Sequence, residues 1–150
     1  MVDWPGPLRW VYAVSPKRKA QETVKISLTS IHVNDQDEAL KFYTEVLGFV
    51  KKHDFPVGEF KWLTVVSPEG PDDIELLLEP NDNPVARSYQ EGIFEQAIPH
   101  AAFAVQDIHE EYERLRKLGV VFTMEPTQAG PVIQAVLNDT CGNLILLYQE

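Results

Sequence analysis

The chain has a single cysteine, Cys141, in 150 residues. No disulfide can form within it, and a reducing compartment, the cytoplasm, is expected. Long apolar runs are missing as well. No stretch approaches the roughly 20 apolar residues of a membrane-spanning helix, so no membrane partner is expected. Positive charge is scarce: 13 Lys and Arg stand against 23 Asp and Glu, for a net charge of -10. Such a surface repels phosphate backbones, and no nucleic-acid partner is expected. The glycines form no phosphate-binding loop. What is present is ordinary soluble composition, 44% hydrophobic and 24% charged. A chain of this size buries about 70% of its unfolded surface, enough for one core without staples.

Residues 1–25 stand apart. They carry Trp4, Pro5, Pro7, Trp10 and the basic run Lys17-Arg18-Lys19, with a local charge of +3 against -13 for the remainder. Trp10 to Val14 is shorter than the roughly 7–15 apolar residues of a secretory signal. The segment reads as a poorly ordered extension, or as a basic arm that docks on an acidic partner or on the chain's own body.

From residue 26 the sequence is written twice. A β-rich run, Ile26 to Val33, stops at Asn34-Asp35. Asp35 with Glu38 has capping-box spacing, and the apolar residues Ala39, Leu40, Phe42, Tyr43, Val46 and Leu47 mark one helix face closed by Gly48. Strands follow at about 49–54, 59–66 and 74–79, with turns expected at 54–58 and 68–72. The second copy runs from His100 through Asp107 and Glu110 to a helix ended by Gly119, then strands at about 120–125, 132–138 and 144–149, with turns expected at 128–131 and 139–143. Val33 to Val105 and Asp35 to Asp107 are both 72 residues apart, and Gly48 to Gly119 is 71. The spacing predicts two β-α-β-β-β modules, about 26–80 and 98–149, joined by a mildly helical linker at about 81–97, in one domain over 26–149. Neither four-stranded sheet can leave its apolar face uncovered.

Val33-Asn34-Asp35, Ala39-Leu40-x-Phe42-Tyr43 and Leu47-Gly48-Phe49, repeated as Val105-Gln106-Asp107 and Leu118-Gly119-Val120 and closed by Gly142 to Leu147, resemble the vicinal oxygen chelate superfamily. That family includes glyoxalase I, extradiol dioxygenases and bleomycin-resistance proteins. The resemblance implies an α+β fold of two tandem βαβββ modules whose curved mixed sheets enclose a cleft, and association as a homodimer. It also implies four metal-ligand positions, one on the first and one on the last strand of each module. Here they fall on Leu28, Glu75, His100 and Leu146. Parity supports Glu75: Ile74, Leu76 and Leu78 suit a covered face, leaving Glu75, Leu77 and Glu79 toward the cleft.

Leucine offers no electron pair, so two of four ligands are missing, and catalytic sites usually have at least three. No resident metal or other cofactor is expected; weak divalent-ion binding through His100 and Glu75 stays open. The same two residues can act as an acid–base pair, since a carboxylate can orient an imidazole. Equally, they can be a satisfied polar contact. Ser30 and His32 share strand parity with Leu28 and can reach the rim. Trp62 can stack on a planar ligand or belong to the core. Leu28, Leu146 and Tyr148 make the cleft apolar, which suits a small apolar or aromatic molecule. His53 is expected in a loop. Two functions follow: an enzyme with a degenerate metal site, of lyase, isomerase or dioxygenase type, or a non-catalytic protein that sequesters a ligand as bleomycin-resistance proteins do.

Overall fold

The computed structural model describes residues 24–150. The extension expected over 1–25 therefore lies, up to residue 23, outside the described residues. Its last basic residue, Lys25, sits on the body of the chain, with Nζ 2.7 Å from Asp73.

Each module contributes one four-stranded sheet. The first contains β1 (Leu28–Val33), β2 (Val50–Val57), β3 (Phe60–Val66) and β4 (Glu75–Pro80) in the order β1-β4-β3-β2. The second contains β5 (Ala101–Ala104), β6 (Phe122–Ala129), β7 (Val132–Asn138) and β8 (Leu144–Gln149) in the matching order β5-β8-β7-β6. First and last strands pair in parallel, and the others are antiparallel. Three helices complete the fold: α1 (Gln36–Lys41), α2 (Pro84–Glu95) in the linker, and α3 (Ile108–Lys117). The doubled α+β architecture read from the sequence is the one observed.

The helix starts follow their capping residues. Asp35 Oδ1 accepts from the amides of Asp37 and Glu38 at 2.9 and 3.0 Å, and Asp107 does the same for His109 and Glu110. The other half of the first capping box is not made, because Glu38 turns outward to Lys41 at 2.9 Å. After Lys41 the helix widens into a π-helical turn, Phe42–Val46, in which Phe42 and Tyr43 are both buried. Gly48 and Gly119 then take φ of +85° and +86°, the left-handed stop their sequence positions predict.

Two expected turns, 54–58 and 128–131, are shorter than read, and strand takes their first residues. β2 runs through Asp54, Phe55 and Pro56 to Val57, and β6 runs through Gln128 to Ala129. Pro56 is tolerated because β2 is an edge strand, where a missing N–H leaves no neighbour unpaired. The reversals are two-residue turns led by Gly58 and Gly130, with φ of +60° and +61°.

The helix-facing sides of both sheets share one core. Ile31, Val33, Leu63, Val65 and Leu78 from the first meet Ala135, Leu137, Ile145 and Leu147 from the second, with Ala39, Tyr43, Ile108 and Leu115 of the helical segments between. Each fully buried Leu or Ile contributes roughly 1.5–3 kcal/mol. The modules are also stitched by polar groups. Tyr43 donates its hydroxyl to Asp139 Oδ2 at 2.8 Å, and Asn143 Nδ2 donates to the His32 carbonyl at 2.8 Å. With helices inside, the opposite face of each sheet is turned outward.

Candidate functional site

Strand register fixes what the outer face of the first sheet presents. Leu28 lies opposite Glu75, Ser30 opposite Leu77, and His32 opposite Glu79. Thr64 lies opposite Leu77 and His53 opposite Thr64, with Phe55 opposite Trp62. Directly paired residues share a face, so Leu28, Ser30, His32, Trp62 and Glu75 stand together with Thr64, His53 and Phe55. Trp62 is part of this face and not of the core between the helices. Its indole stacks on Phe55, ring centroids 6.4 Å apart with planes 20° apart.

A bulge in β2 gives the face its polar centre. The register with β3 slips between Lys51 and His53, so Lys52 and His53 both point at Glu75. Lys52 Nζ lies 3.0 Å from Glu75 Oε1 and also donates to the Asp72 carbonyl. His53 Nε2 lies 3.6 Å from the same carboxylate oxygen. His53 is therefore a strand residue and not the loop residue its neighbours Asp54 to Gly58 suggested. Burial pushes the Glu75 carboxyl up, but the Thr64 hydroxyl bond and the Lys52 ammonium outweigh it and hold its pKa below the ordinary value. Glu75 is thus an ionised, internally neutralised carboxylate.

A second polar group sits where the modules meet. The His32 and His100 rings lie 6.1 Å apart, and Tyr89 of α2 stands edge-on to His100 at 6.1 Å. His32 Nε2 is 3.8 Å from Glu79 Oε2. Two buried nitrogens here, His32 Nδ1 and His100 Nε2, have no hydrogen-bond partner among the described residues. His100 just precedes β5, its amide bonded to the Leu144 carbonyl at 2.8 Å. Among the described residues no ion pair joins His100 to Glu75; each has its own neighbours. Leu146 and Tyr148 occupy the outer face of the second sheet, opposite Val136 and Gln134. A groove of about 1210 Å³ between α3, β5 and the β3–β4 loop contains none of these side chains.

The four positions that the resemblance implies offer only two ligand side chains between them, Glu75 and His100. Leu28 stands directly across from Glu75 and supplies no lone pair, Leu146 supplies none either, and the Glu75 carboxylate is engaged by an ammonium. Among the described residues no three His, Cys, Asp or Glu side chains cluster closely enough to share an ion.

Residues 25–147 match the family model Glyoxalase/Bleomycin resistance protein/Dioxygenase superfamily. The chain belongs to this superfamily. Within it, the chain is 56% identical to the Bacillus subtilis protein YurT, described as uncharacterized, over 85% of this chain and all of YurT. It is 31% identical to a lactoylglutathione lyase of Salmonella typhimurium, over 81% of this chain and 89% of the lyase. Among solved structures it is similar to TnmS3, an antibiotic binding protein from a Streptomyces species, with 25% identity, a TM-score of 0.66, and coverage of 85% and 97%. The superfamily thus contains both a catalyst and a ligand binder of this fold.

Lys52, His53 and Phe55 were not among the side chains that sequence reasoning selected. The signal available was weak: an aromatic and a histidine two apart beside a lysine. Only the bulge and the pairing with β3 show that they converge.

Proposed function

We propose that this superfamily member binds a small aromatic or apolar molecule against the outer face of its first sheet, without a metal. The observation that carries this is the Phe55–Trp62 stack. Phe55 is 49% exposed, and Leu28, at 41%, is exposed on the same face. Large apolar side chains left in water on one sheet face mark a binding surface. A second copy of the chain completes the cleft: its second-sheet face, with Leu146 and Tyr148, covers the first-sheet face, giving a homodimer with two equivalent sites. Cys141, a buried free thiol, suits a cytoplasmic protein. The test is thermal melting with a panel of one- to three-ring aromatics. A bound ligand at 100 times its Kd adds about 2.7 kcal/mol of stability. The reading predicts saturable stabilisation that Phe55→Ala abolishes; a flat response across the panel would overturn it.

Catalysis is the second reading, favoured by the unpartnered His100 Nε2. In the dimer, His100 of one copy approaches Glu75 of the other and moves a proton on the bound molecule. Turnover of candidate substrates that His100→Ala leaves unchanged contradicts it.

A further inference from the structure

The hydrogen-bond inventory around Glu75 identifies the polar group that a ligand must carry. Glu75 is supplied with donors from Thr64 and Lys52, with His53 alongside, so this carboxylate is not a free acceptor. The unspent donor is on Lys52. An ammonium has three N–H bonds, and Lys52 uses two, toward Glu75 and the Asp72 carbonyl. One remains, on a side chain 31% exposed. The His53 ring, 45% exposed, turns Nε2 toward Glu75, which leaves Nδ1 as the acceptor of a neutral ring and no donor for an anion. The neighbouring acid, Asp54, is drawn off by Lys51 at 3.3 Å and does not neutralise Lys52.

Lys52 and His53 adjoin the aromatic platform. The rings of His53 and Phe55 are 6.3 Å apart at 74°, and Phe55 is 6.4 Å from Trp62. The sheet face therefore presents, in line, a cationic donor, an imidazole, and a stacked aromatic pair. We infer that the ligand is an aromatic acid of one or two fused rings, stacked on Phe55 and Trp62, with its carboxylate on Lys52. This rests on the binding reading above and names its substrate class. Lys52 here is a specificity-determining residue: a bond from an ammonium to a carboxylate is stronger than one to a neutral amide.

Isothermal titration of the full-length protein with 2-naphthoate and its neutral isostere 2-naphthamide tests this. The naphthoate is expected to bind about tenfold more tightly, the difference one charge-assisted bond makes. Lys52→Met is expected to erase that preference while leaving naphthamide binding in place. Glu75→Gln, which frees the ammonium from its internal partner, is expected to widen it and remains informative should Lys52→Met fail to fold. Equal affinity for the two probes, or a preference that survives in Lys52→Met or narrows in Glu75→Gln, overturns the aromatic-acid assignment and leaves the binding reading intact. Failure of both probes to bind removes the binding reading and the assignment together.

Discussion

Gln90 of α2 ties the linker to both modules, and replacing it separates packing from hydrogen bonding. Its side chain is 2% exposed. Nε2 donates to the His32 carbonyl at 2.8 Å, the Cys141 carbonyl at 3.2 Å and Asn143 Oδ1 at 3.0 Å, while Oε1 accepts from Asn81 at 2.8 Å. Gln90→Ala does not orphan all three acceptors. His32 keeps its bond from Asn143 Nδ2 at 2.8 Å, and Cys141 keeps one from the Asn34 amide at 3.2 Å. Of the three acceptors only Asn143 Oδ1 loses its donor, and the part-buried Asn81 Nδ2 loses its acceptor; the buried Asn143 oxygen costs about 1–3 kcal/mol, with about 0.8 kcal/mol more for the lost methylene. The expected destabilisation is therefore about 2–4 kcal/mol.

Gln90→Glu keeps the shape but turns an oxygen toward three acceptors. An uncompensated buried charge costs about 3–5 kcal/mol, so the isosteric variant should be the less stable of the two at pH 7. The sign with pH follows. The new carboxyl has its folded-state pKa raised above the unfolded value, so its penalty is full above the folded pKa and vanishes below the unfolded one. Urea unfolding at pH 7 and pH 5 reads both effects. A Gln90→Glu protein within about 0.5 kcal/mol of wild type, or more stable than Gln90→Ala, would refute donor counting at this seam.

Other consequences concern the same interior. Burial first, then the Asp139 carboxylate, raises the Tyr43 hydroxyl well above its ordinary pKa. The stability that this confers is present below the unfolded tyrosine pKa and is lost as pH rises beyond about 10. Tyr43→Phe should lower stability by about 1.5–3 kcal/mol at pH 7 and flatten the alkaline decline, read from melts between pH 7 and 11. The Cys141 thiol is pushed up to about 12 by burial, with Asp139 adding to it. It should react with a thiol reagent at pH 8 only at the rate of global unfolding; a fast stoichiometric reaction in native protein contradicts the buried position. Gly142 takes φ of +100°, and a Cβ there would meet Gln90 Nε2 at 2.7 Å. Gly142→Ala should therefore destabilise more than the same change at the open Gly58, compared by urea midpoint.

Much of the fold was legible because its signals are local and repeated. Asp35 and Asp107 start helices wherever such a residue leads an apolar helix face, and Gly48 and Gly119 stop them, so the 72-residue offset survives folding. Alternation along Glu75 to Glu79 identified the outer face, and the register of Glu75 with Leu28 agrees with it; Ile74, expected on the covered face, precedes β4 and is 46% exposed. The ends of β2 and β6 were not legible. Pro56 is a turn residue by composition, and only the pairing of Pro56 with Lys61 and of Val57 with Phe60 reveals strand. The convergence of Lys52 and His53 was hidden for a related reason, since a bulge is a property of two strands together. Gln90 attracted no notice because a glutamine on a mildly helical linker looks solvated until three elements close around it.

The claim on which the functional account rests is that Phe55 and Trp62 hold a ligand with no metal involved. Its most direct measurement is the ¹H–¹⁵N spectrum of the protein titrated with 2-naphthoate in excess chelator, the Trp62 indole signal being assigned by its loss in Trp62→Phe. The account predicts a saturable shift of that signal, abolished by Phe55→Ala. A Trp62 signal that stays fixed while the ligand binds elsewhere, or moves only after a divalent ion is restored, would contradict it.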